Sequence, residues 1–216
     1  TFDPDSQLAG PVLRQVQRSL KSGVLYIDGG WQTIVDQLTD IASLAGVSVL
    51  SNRGVSEIVA SEGAVRGLTF ADGETWSVSL AIATTSPSVL YGMVRDADRT
   101  AIRRWRDEAR PVTAACLDLA LRRLPDPKLH FAIGLDQPVY FSHHSRVAKL
   151  SDNGTHVVHL MKYNRPGTGG DPQGDERQLE QTMDLLHPGW RGEVAARQYL
   201  PHITVVHDYM HTGRSI

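Results

Sequence analysis

The sequence contains nine histidines, each of which could bind a metal ion through its imidazole. Successive side chains of a strand point to opposite faces, so two ligands an odd number of positions apart cannot converge within one strand. His207 and His211 would share a face only if their segment were helical. The other close pairs are separated by odd numbers in predicted extended segments: His156 and His159, His143 and His144, and His202 and His207. With no Cys-x-x-Cys and no His-Glu-x-x-His motif, the spacing predicts no metal site.

The possible nucleophiles and carboxylates in the sequence do not identify a catalytic residue either. The one cysteine, Cys116, lies in an alternating apolar run without an activating partner, which favours burial over reactivity. No Gly-x-Ser-x-Gly elbow is present to hold a serine nucleophile. The paired carboxylates Asp107-Glu108 and Asp175-Glu176 lie in charge-rich helical stretches and are interpreted as solvated faces.

A glycine pair, Gly29-Gly30, is the feature best able to bring the backbone close to another group. It follows the apolar run 24–27 and Asp28, and it precedes a helix predicted from Trp31. Two glycines permit a sharp turn at backbone angles that other residues avoid. Taken alone, the pair predicts a tight turn from a strand into a helix.

The first part of the chain must position this turn, and it alternates between helical and extended patterns. Apolar residues about one turn apart predict helices over 5–21 and 31–45, the second capped by Gly46. Extended patterns predict a further five segments, of which the last three form a meander: 24–27, 47–50, 55–60, 64–70 and 76–83. This order favours an α/β arrangement.

The second part reads as a helical region, 88–110, followed by an antiparallel sheet. Its predicted strands are 112–121, 129–134, 139–142 and 155–163. Alternation in the first strand separates a face of leucines from a face of smaller residues, which suits helices on one side of the sheet and a cavity on the other. The members are Leu117, Leu119 and Leu121 on one face and Ala114, Cys116, Asp118 and Ala120 on the other.

A Gly- and Pro-rich stretch, 164–174, predicts a loop after this sheet. A helix is expected over 175–186, with Asp175 as its N-cap. The last strand, 197–206, contains Pro201 and is therefore expected at a sheet edge or at a bulge.

Composition excludes several classes of function. The 216 residues carry a formal net charge of −2, with 41% hydrophobic and 21% charged residues, as in ordinary globular proteins. The basic residues are scattered and predict no nucleic-acid partner. No apolar run is long enough to span a membrane, and no signal peptide is visible, so with its single cysteine the chain is expected in the cytoplasm. The missing initiator Met suggests a start inside a longer protein.

The order of segments resembles the phytoene desaturase and flavin amine oxidase superfamily of FAD-dependent oxidoreductases. The resemblance begins at 23–31, where the glycine pair opens a helix that ends in Gly46-Val47. It continues through the meander to 81–87, Ala-Ile-Ala-Thr-Thr-Ser-Pro. Similar segments follow at 160–163, Pro188-Gly189-Trp190 and 199–205. No single motif is decisive, but their order covers nearly the whole chain.

This resemblance implies an α+β (α/β) fold in which a mixed or antiparallel substrate-domain sheet with flanking helices joins a partial Rossmann-like FAD-binding domain with a β-meander. Residues 1–22 and 91–196 would belong to the substrate domain and 23–90 to the FAD-binding domain, with 197–216 returning toward it. The Gly-x-Gly-x-x-Gly turn that holds the FAD pyrophosphate in this family is missing, as is its final Gly-Asp segment. The chain is thus expected to be an internal fragment whose parent binds FAD, while the chain alone is not expected to bind it.

Site residues follow from the same resemblance. Near the cofactor it implies the backbone or side chains of Gly29, Gly30, Val55, Thr84 and Thr85. Ordinary turn, core and strand-end roles remain the alternatives for these five. Around an apolar small-molecule substrate it implies Trp31, Tyr140 and Phe141, for which a core role is the alternative. The implied activity is hydride transfer between that substrate and the flavin, and the competing hypothesis is a stand-alone ligand-binding module without redox function.

Overall fold

The chain folds into two compact units. A computed structural model describes residues 6–165, 167 and 170–213. One unit comprises Thr1–Asp40 and Pro111–Ile216, and the other comprises Ile41–Arg110. The sequence-based boundaries at 22/23 and 90/91 differ from these, and the assignment of FAD-binding and substrate domains stays a prediction.

Most helices and strands follow one another as the apolar patterns indicate. In chain order they are α1 (Ala9–Ser22), α2 (Trp31–Leu44), β1 (Val55–Ser61), β2 (Ala64–Phe70), β3 (Thr75–Ser77), α3 (Pro87–Met93), α4 (Ala101–Glu108), β4 (Val112–Leu121), β5 (Phe131–Ile133), β6 (Val139–His143), β7 (His156–Tyr163), α5 (Pro172–Leu186) and β8 (Val194–Val206). Short 3₁₀ turns lie at Ala97–Arg99, His144–Arg146 and Trp190–Glu193. Each described helix is too short or too polar to cross a bilayer.

Five antiparallel strands form the sheet of the first unit, in the order β5-β6-β7-β4-β8. The strands predicted at 112–121, 129–134, 139–142 and 155–163 are therefore confirmed. The strand β8 lies at the sheet edge, and its register against β4 shifts between the partners of Ala114 and Cys116. Both features fit Pro201, which lacks the N–H that a central strand would have to donate.

The two faces of β4 separate as predicted. Leu117, Leu119 and Leu121 are fully buried in a core that includes Leu179 and Met183 of α5. Each such side chain contributes roughly 1.5–3 kcal/mol by leaving water. The opposite face of the sheet, which we call the open face, carries Ala114, Cys116 and Met161 with half-buried tyrosines around them.

The helix α5 begins earlier than the sequence predicts. Its first residue is Pro172, and its N-cap is Asp171, whose side chain accepts a hydrogen bond from the N–H of Gly174. The predicted cap, Asp175, lies inside the helix, is 2% exposed and forms an ion pair with Lys162 of β7. The predicted loop 164–174 falls partly outside the described residues.

In the second unit, β1, β2 and β3 form an antiparallel meander. The turn between the first two strands uses Glu62 and Gly63, both at positive φ. The guanidinium of Arg53 lies 4.5 Å from the ring centroid of Phe70 and 5.1 Å from that of Trp76. The predicted helical region 88–110 appears as α3, a 3₁₀ turn and α4.

Three predicted strands are shortened or missing. Residues 24–27 and 47–50 form no strand, and of 76–83 only the start lies in β3. A strand requires a hydrogen-bonded neighbour, and no other strand pairs with these runs within the described part of the chain. Their apolar side chains consequently lie open, with Leu25 90% and Ile82 83% exposed.

Candidate functional site

A row of aromatic rings crosses the open face of the first unit. The row comprises Tyr163, Tyr140, His159, His144 and Tyr26, with successive ring centroids 6.4, 5.7, 5.2 and 5.0 Å apart. Alternation along β6 and β7 places Tyr140, His159 and Tyr163 on the same face as Cys116. We call this set the aromatic row.

One end of the aromatic row reaches a cavity. The cavity measures about 490 Å³, within the usual size range for a small-molecule site, and Tyr140 and Tyr163 line it. Its other walls come from α1 and from the segment that joins β5 to β6. Its lining includes Tyr140, Tyr163, Gln15 and Arg165.

The other end of the aromatic row meets the glycine-pair turn. The hydroxyl of Tyr26 lies 3.3 Å from that of Ser142 on β6. Asp28 accepts a hydrogen bond of 2.6 Å from the N–H of Lys149, and the N–H of Gly29 donates to the carbonyl of Lys149 at 2.8 Å. These bonds hold the turn against the segment that follows β6.

Burial keeps the thiol and two tyrosine hydroxyls of the open face in their neutral forms. The pKa of the Cys116 thiol is raised to about 12, first by desolvation and then by the charge of Asp118. Desolvation likewise raises the pKa of Tyr140 and of Tyr163. Cys116 is therefore no nucleophile, and both tyrosines present neutral hydroxyl groups.

Both glycines of the predicted cofactor turn require their residue type. Gly29 has φ +78° and Gly30 has φ +77°, a region that side-chain-bearing residues avoid. A Cβ atom at Gly29 would lie 2.5 Å from the hydroxyl of Thr33. The N–H of Gly30 donates to the carbonyl of Ile27 at 2.9 Å. The turn can thus admit close backbone approach, but both N–H groups are already engaged.

The three predicted substrate residues lie in different environments of the first unit. Tyr140 lines the cavity at the end of the aromatic row. Phe141 is fully buried on the helix side of the sheet, where it packs on His187 and lines a second cavity of about 290 Å³. Trp31 is the first residue of α2 and is 74% exposed.

The remaining predicted cofactor residues lie in the second unit. Val55 starts β1, opposite Phe70, and is half-buried. Thr84 and Thr85 are exposed in the segment between β3 and α3, and their hydroxyls have no hydrogen-bond partner among the described residues. Their roles beside a cofactor stay predictions.

An Asp–His pair on the open face escaped the sequence analysis. Asp118 of β4 and His159 of β7 are direct cross-strand partners, and the carboxylate accepts a hydrogen bond from Nδ1 of the imidazole. The two residues are separated by 41 positions. No local spacing indicates such a pair, because only the strand register brings its members together.

Three further histidines meet on the opposite face. Nδ1 of His143 lies 3.3 Å from Nδ1 of His130, and its Nε2 lies 3.3 Å from Nδ1 of His156. Since the central ring uses a different nitrogen toward each neighbour, the three cannot bind one metal ion in this arrangement. Burial, followed by the charges of the neighbouring histidines and Arg146, lowers the pKa of His143 to about 4.

The sequence of a known protein family matches most of the chain. The sequence profile of the flavin containing amine oxidoreductase family matches residues 3–194. No curated protein matches the chain. Among solved structures, an oxidoreductase from Methanosarcina mazei has a TM-score of 0.67 at 17% identity and covers 87% of this chain and 46% of its own.

Two other solved structures resemble the chain to a similar extent. A Pyrococcus furiosus protein has a TM-score of 0.61 at 15% identity, with 88% of this chain and 47% of its own covered. A reduced UDP-galactopyranose mutase has a TM-score of 0.68 at 13% identity, with 93% and 47% covered. At such identities the likeness shows the fold alone. The chain spans about half the length of each of these structures.

Proposed function

The chain belongs to the flavin containing amine oxidoreductase family, and we propose that it forms part of a FAD-dependent oxidoreductase acting on an organic, apolar substrate by hydride transfer. One observation carries the proposal beyond family membership. The open face joins a cavity, a row of half-buried rings and the glycine-pair turn within one unit. An apolar pocket with a few oriented polar groups is the usual form of a substrate site.

FAD would supply the redox chemistry, since flavins exchange hydride with organic substrates and the protein supplies binding and orientation. The residues present fit this group in part. Gly29 and Gly30 offer a backbone surface without side chains, and Thr84 and Thr85 offer unengaged hydroxyls. The N–H groups of the glycine pair already donate within the chain, so they would not hold a phosphate. We assign the phosphate contacts to a glycine-rich turn outside these 216 residues.

The substrate would lie against the open face, with Tyr140 and Tyr163 as its walls. Both present neutral hydroxyls because desolvation raises their pKa. Phe141 supports the wall from the helix side, where it is fully buried. A contact between substrate and Trp31 remains part of the proposal. The phytoene desaturase branch is proposed on the sequence resemblance alone, and a cytoplasmic location is proposed on the single cysteine.

Flavin content provides the test. We expect the full-length protein that contains this chain to retain FAD on purification, seen by the visible absorption of the flavin. The 216-residue chain, refolded with excess FAD and passed through a desalting column, is expected to lose it.

Two outcomes would contradict the proposal. FAD retained by the 216-residue chain would show that its own residues hold the phosphates. A full-length protein that retains no FAD, even after incubation with it, would favour the ligand-binding module. The cavity and the aromatic row lie wholly within one unit, so such a module could bind a ligand without flavin.

A further inference from the structure

The pair formed by Asp118 and His159 lies at the centre of the aromatic row. We propose that His159 is an acid–base residue that exchanges a proton with an N–H or O–H group of the substrate, and that Asp118 is its positioning residue. The inference rests on the proposed function, because it takes the open face as the substrate face. It adds a proton-transfer group to a site for which the family resemblance supplied none.

The carboxylate determines which nitrogen of His159 faces the ligand. An ionised carboxylate only accepts hydrogen bonds, so Nδ1 of His159 must carry a proton and donate the hydrogen bond to Asp118. Nε2 then has a free lone pair in the neutral ring. It has no hydrogen-bond partner in the described part of the chain, and the side chain is 13% exposed. A group of this kind is oriented, partly shielded and still reachable.

The neighbouring rings hold the imidazole in place. His144 stacks on His159 with ring centroids 5.2 Å apart and 23° between the planes. Tyr140 contacts it with centroids 5.7 Å apart, at 51°. Because both partners of the pair lie in the middle of paired strands, their backbones are rigid. Tyr140 also lines the 490 Å³ cavity, so a single ring links the pair to the wall of that space.

An ordinary structural ion pair would be placed differently. The pairs that secure α5, such as that between Lys162 and Asp175, lie on the helix side of the sheet and join two elements that pack together. Asp118 and His159 instead join two strands that are already bonded along their whole length. The hydrogen bond between the two side chains therefore adds little to the pairing of the strands, and this favours a role toward a ligand.

The proton balance is simple. The substrate X–H bond breaks, its electron pair stays on X, and the proton passes to Nε2 of His159. The ring becomes an imidazolium whose positive charge Asp118 stabilises, and the reverse step returns the proton. Such a step would prepare an amine or alcohol for oxidation, or protonate the product of a reduction. The titratable groups that face His159 are Asp118 on β4, Tyr140 on β6 and His144 in the turn after β6.

Nitrogen NMR of the histidine rings tests the geometry on the chain itself. For neutral His159 we expect a protonated Nδ1 and a bare Nε2. Addition of 4-methylphenol should shift the Nε2 resonance, whereas toluene, which lacks the hydroxyl, should not. Asp118→Asn should weaken this response several-fold, and Asp184→Asn, which changes a carboxylate paired with Arg191, should leave it intact. An Nε2 that carries the proton, or an equal response to both probes, would overturn the inference.

Turnover by the FAD-loaded full-length protein tests the chemistry. With an amine or alcohol that reduces the flavin, His159→Gln should slow the reduction on the order of 10²-fold and abolish the loss of kcat/KM at acid pH. His156→Gln, on the other face of the same strand, should change neither. Full rate and an unchanged pH profile in His159→Gln would refute the inference while the proposed function stands. A protein that binds no flavin would refute the proposed function, and the NMR result alone would then decide about the pair.

Discussion

At the residue scale, the ion pair between Lys162 and Asp175 is the buried contact whose loss should lower the stability most. The carboxylate is 2% exposed and lies inside α5, while the ammonium reaches it from β7. Its second oxygen, Oδ2, has no hydrogen-bond partner among the described residues. Without the lysine, the charge of this carboxylate would remain in the protein interior with few compensating groups.

Lys162→Met should lower the free energy of unfolding by roughly 3–5 kcal/mol, because it leaves a buried carboxylate unpaired. Urea unfolding followed by circular dichroism measures the change. Arg191→Met is the matched control, since it removes a half-exposed cation that pairs with Glu180 and Asp184. That control should cost less than about 1 kcal/mol. Equal effects of the two changes would show that the Lys162 pair behaves as a surface pair.

The histidines of the first unit link its stability to pH. Desolvation, reinforced by neighbouring positive charge, lowers the pKa of His143 from 6.5 to about 4. Desolvation also lowers the pKa of His144 and of His187. The folded chain thus binds these protons less readily than the unfolded chain does.

The contribution of these histidines to the free energy of unfolding should therefore be complete above about pH 6.5 and should be lost as the pH drops toward 4. For His143 alone the loss amounts to roughly 3 kcal/mol over that interval. Urea midpoints between pH 7 and pH 4 measure it. His143→Gln should flatten the decline, although it also removes the ring contacts. A decline of the same size in this variant would show that other groups cause it.

The sequence predicted these residues only in part. Burial of Cys116 and the divergence of His156 from His159 followed from strand alternation. The pair between Asp118 and His159 did not, because a cross-strand neighbour depends on which strands pair and in what register. That register is set by long-range packing, and no local spacing encodes it.

At the element scale, the start of α5 depends on a single cap. The carboxylate of Asp171 accepts the N–H of Gly174 at 3.0 Å, and Pro172 occupies the first helical position. Both preferences are those of helix N-termini, where N–H groups lack partners within the helix. The cap thereby fixes where the helix begins on the sheet.

Asp171→Ala should lower the free energy of unfolding by about 1 kcal/mol through loss of this cap. Asp136→Ala offers a control of the same type in the exposed segment between β5 and β6, and it should stay within about 0.5 kcal/mol of the wild type. Thermal unfolding of the three proteins side by side gives the comparison. If the control loses as much as the Asp171 variant, the cap is not the cause.

Sequence patterns predicted most elements of the sheet but misplaced the start of α5. The sequence pattern indicated Asp175 as the N-cap, whereas the cap in the structure is Asp171. The side chain of Asp175 instead pairs with Lys162 of β7, a contact that only the tertiary structure reveals. For 24–27 and 47–50 the apolar pattern indicated strands, yet strand formation requires a neighbour that the described residues do not provide.

At the scale of the whole molecule, large apolar side chains are exposed at many positions. Neither α1 nor α2 has a fully buried residue. Leu20, Leu25 and Leu44 are each more than 80% exposed, at 83%, 90% and 89%. Apolar surfaces of this kind mark contact regions or sites of association.

The 216-residue chain alone should therefore self-associate at micromolar concentrations. Replacing Leu38 and Leu44 of α2 with glutamate should reduce the association, since charge opposes the burial of that surface. Light scattering after size exclusion reports the mass of each species. Glutamate at both Leu135 and Leu185, which are 95% and 81% exposed in the first unit, is the control for two added charges outside α2. A monomeric wild-type chain would contradict the expectation.

The strand order has a consequence for how the chain acquires its structure on the ribosome. The strand β4 pairs with β7 on one edge and with β8 on the other, and both partners are synthesised after it. Some eighty further residues must therefore be synthesised after β4 before β8 can pair with its second edge. Pairing over such separations is slow, and until it occurs an apolar strand with unpaired edges can pair with other chains. Synthesis of this sheet thus passes through an interval in which a chaperone has a defined segment to protect.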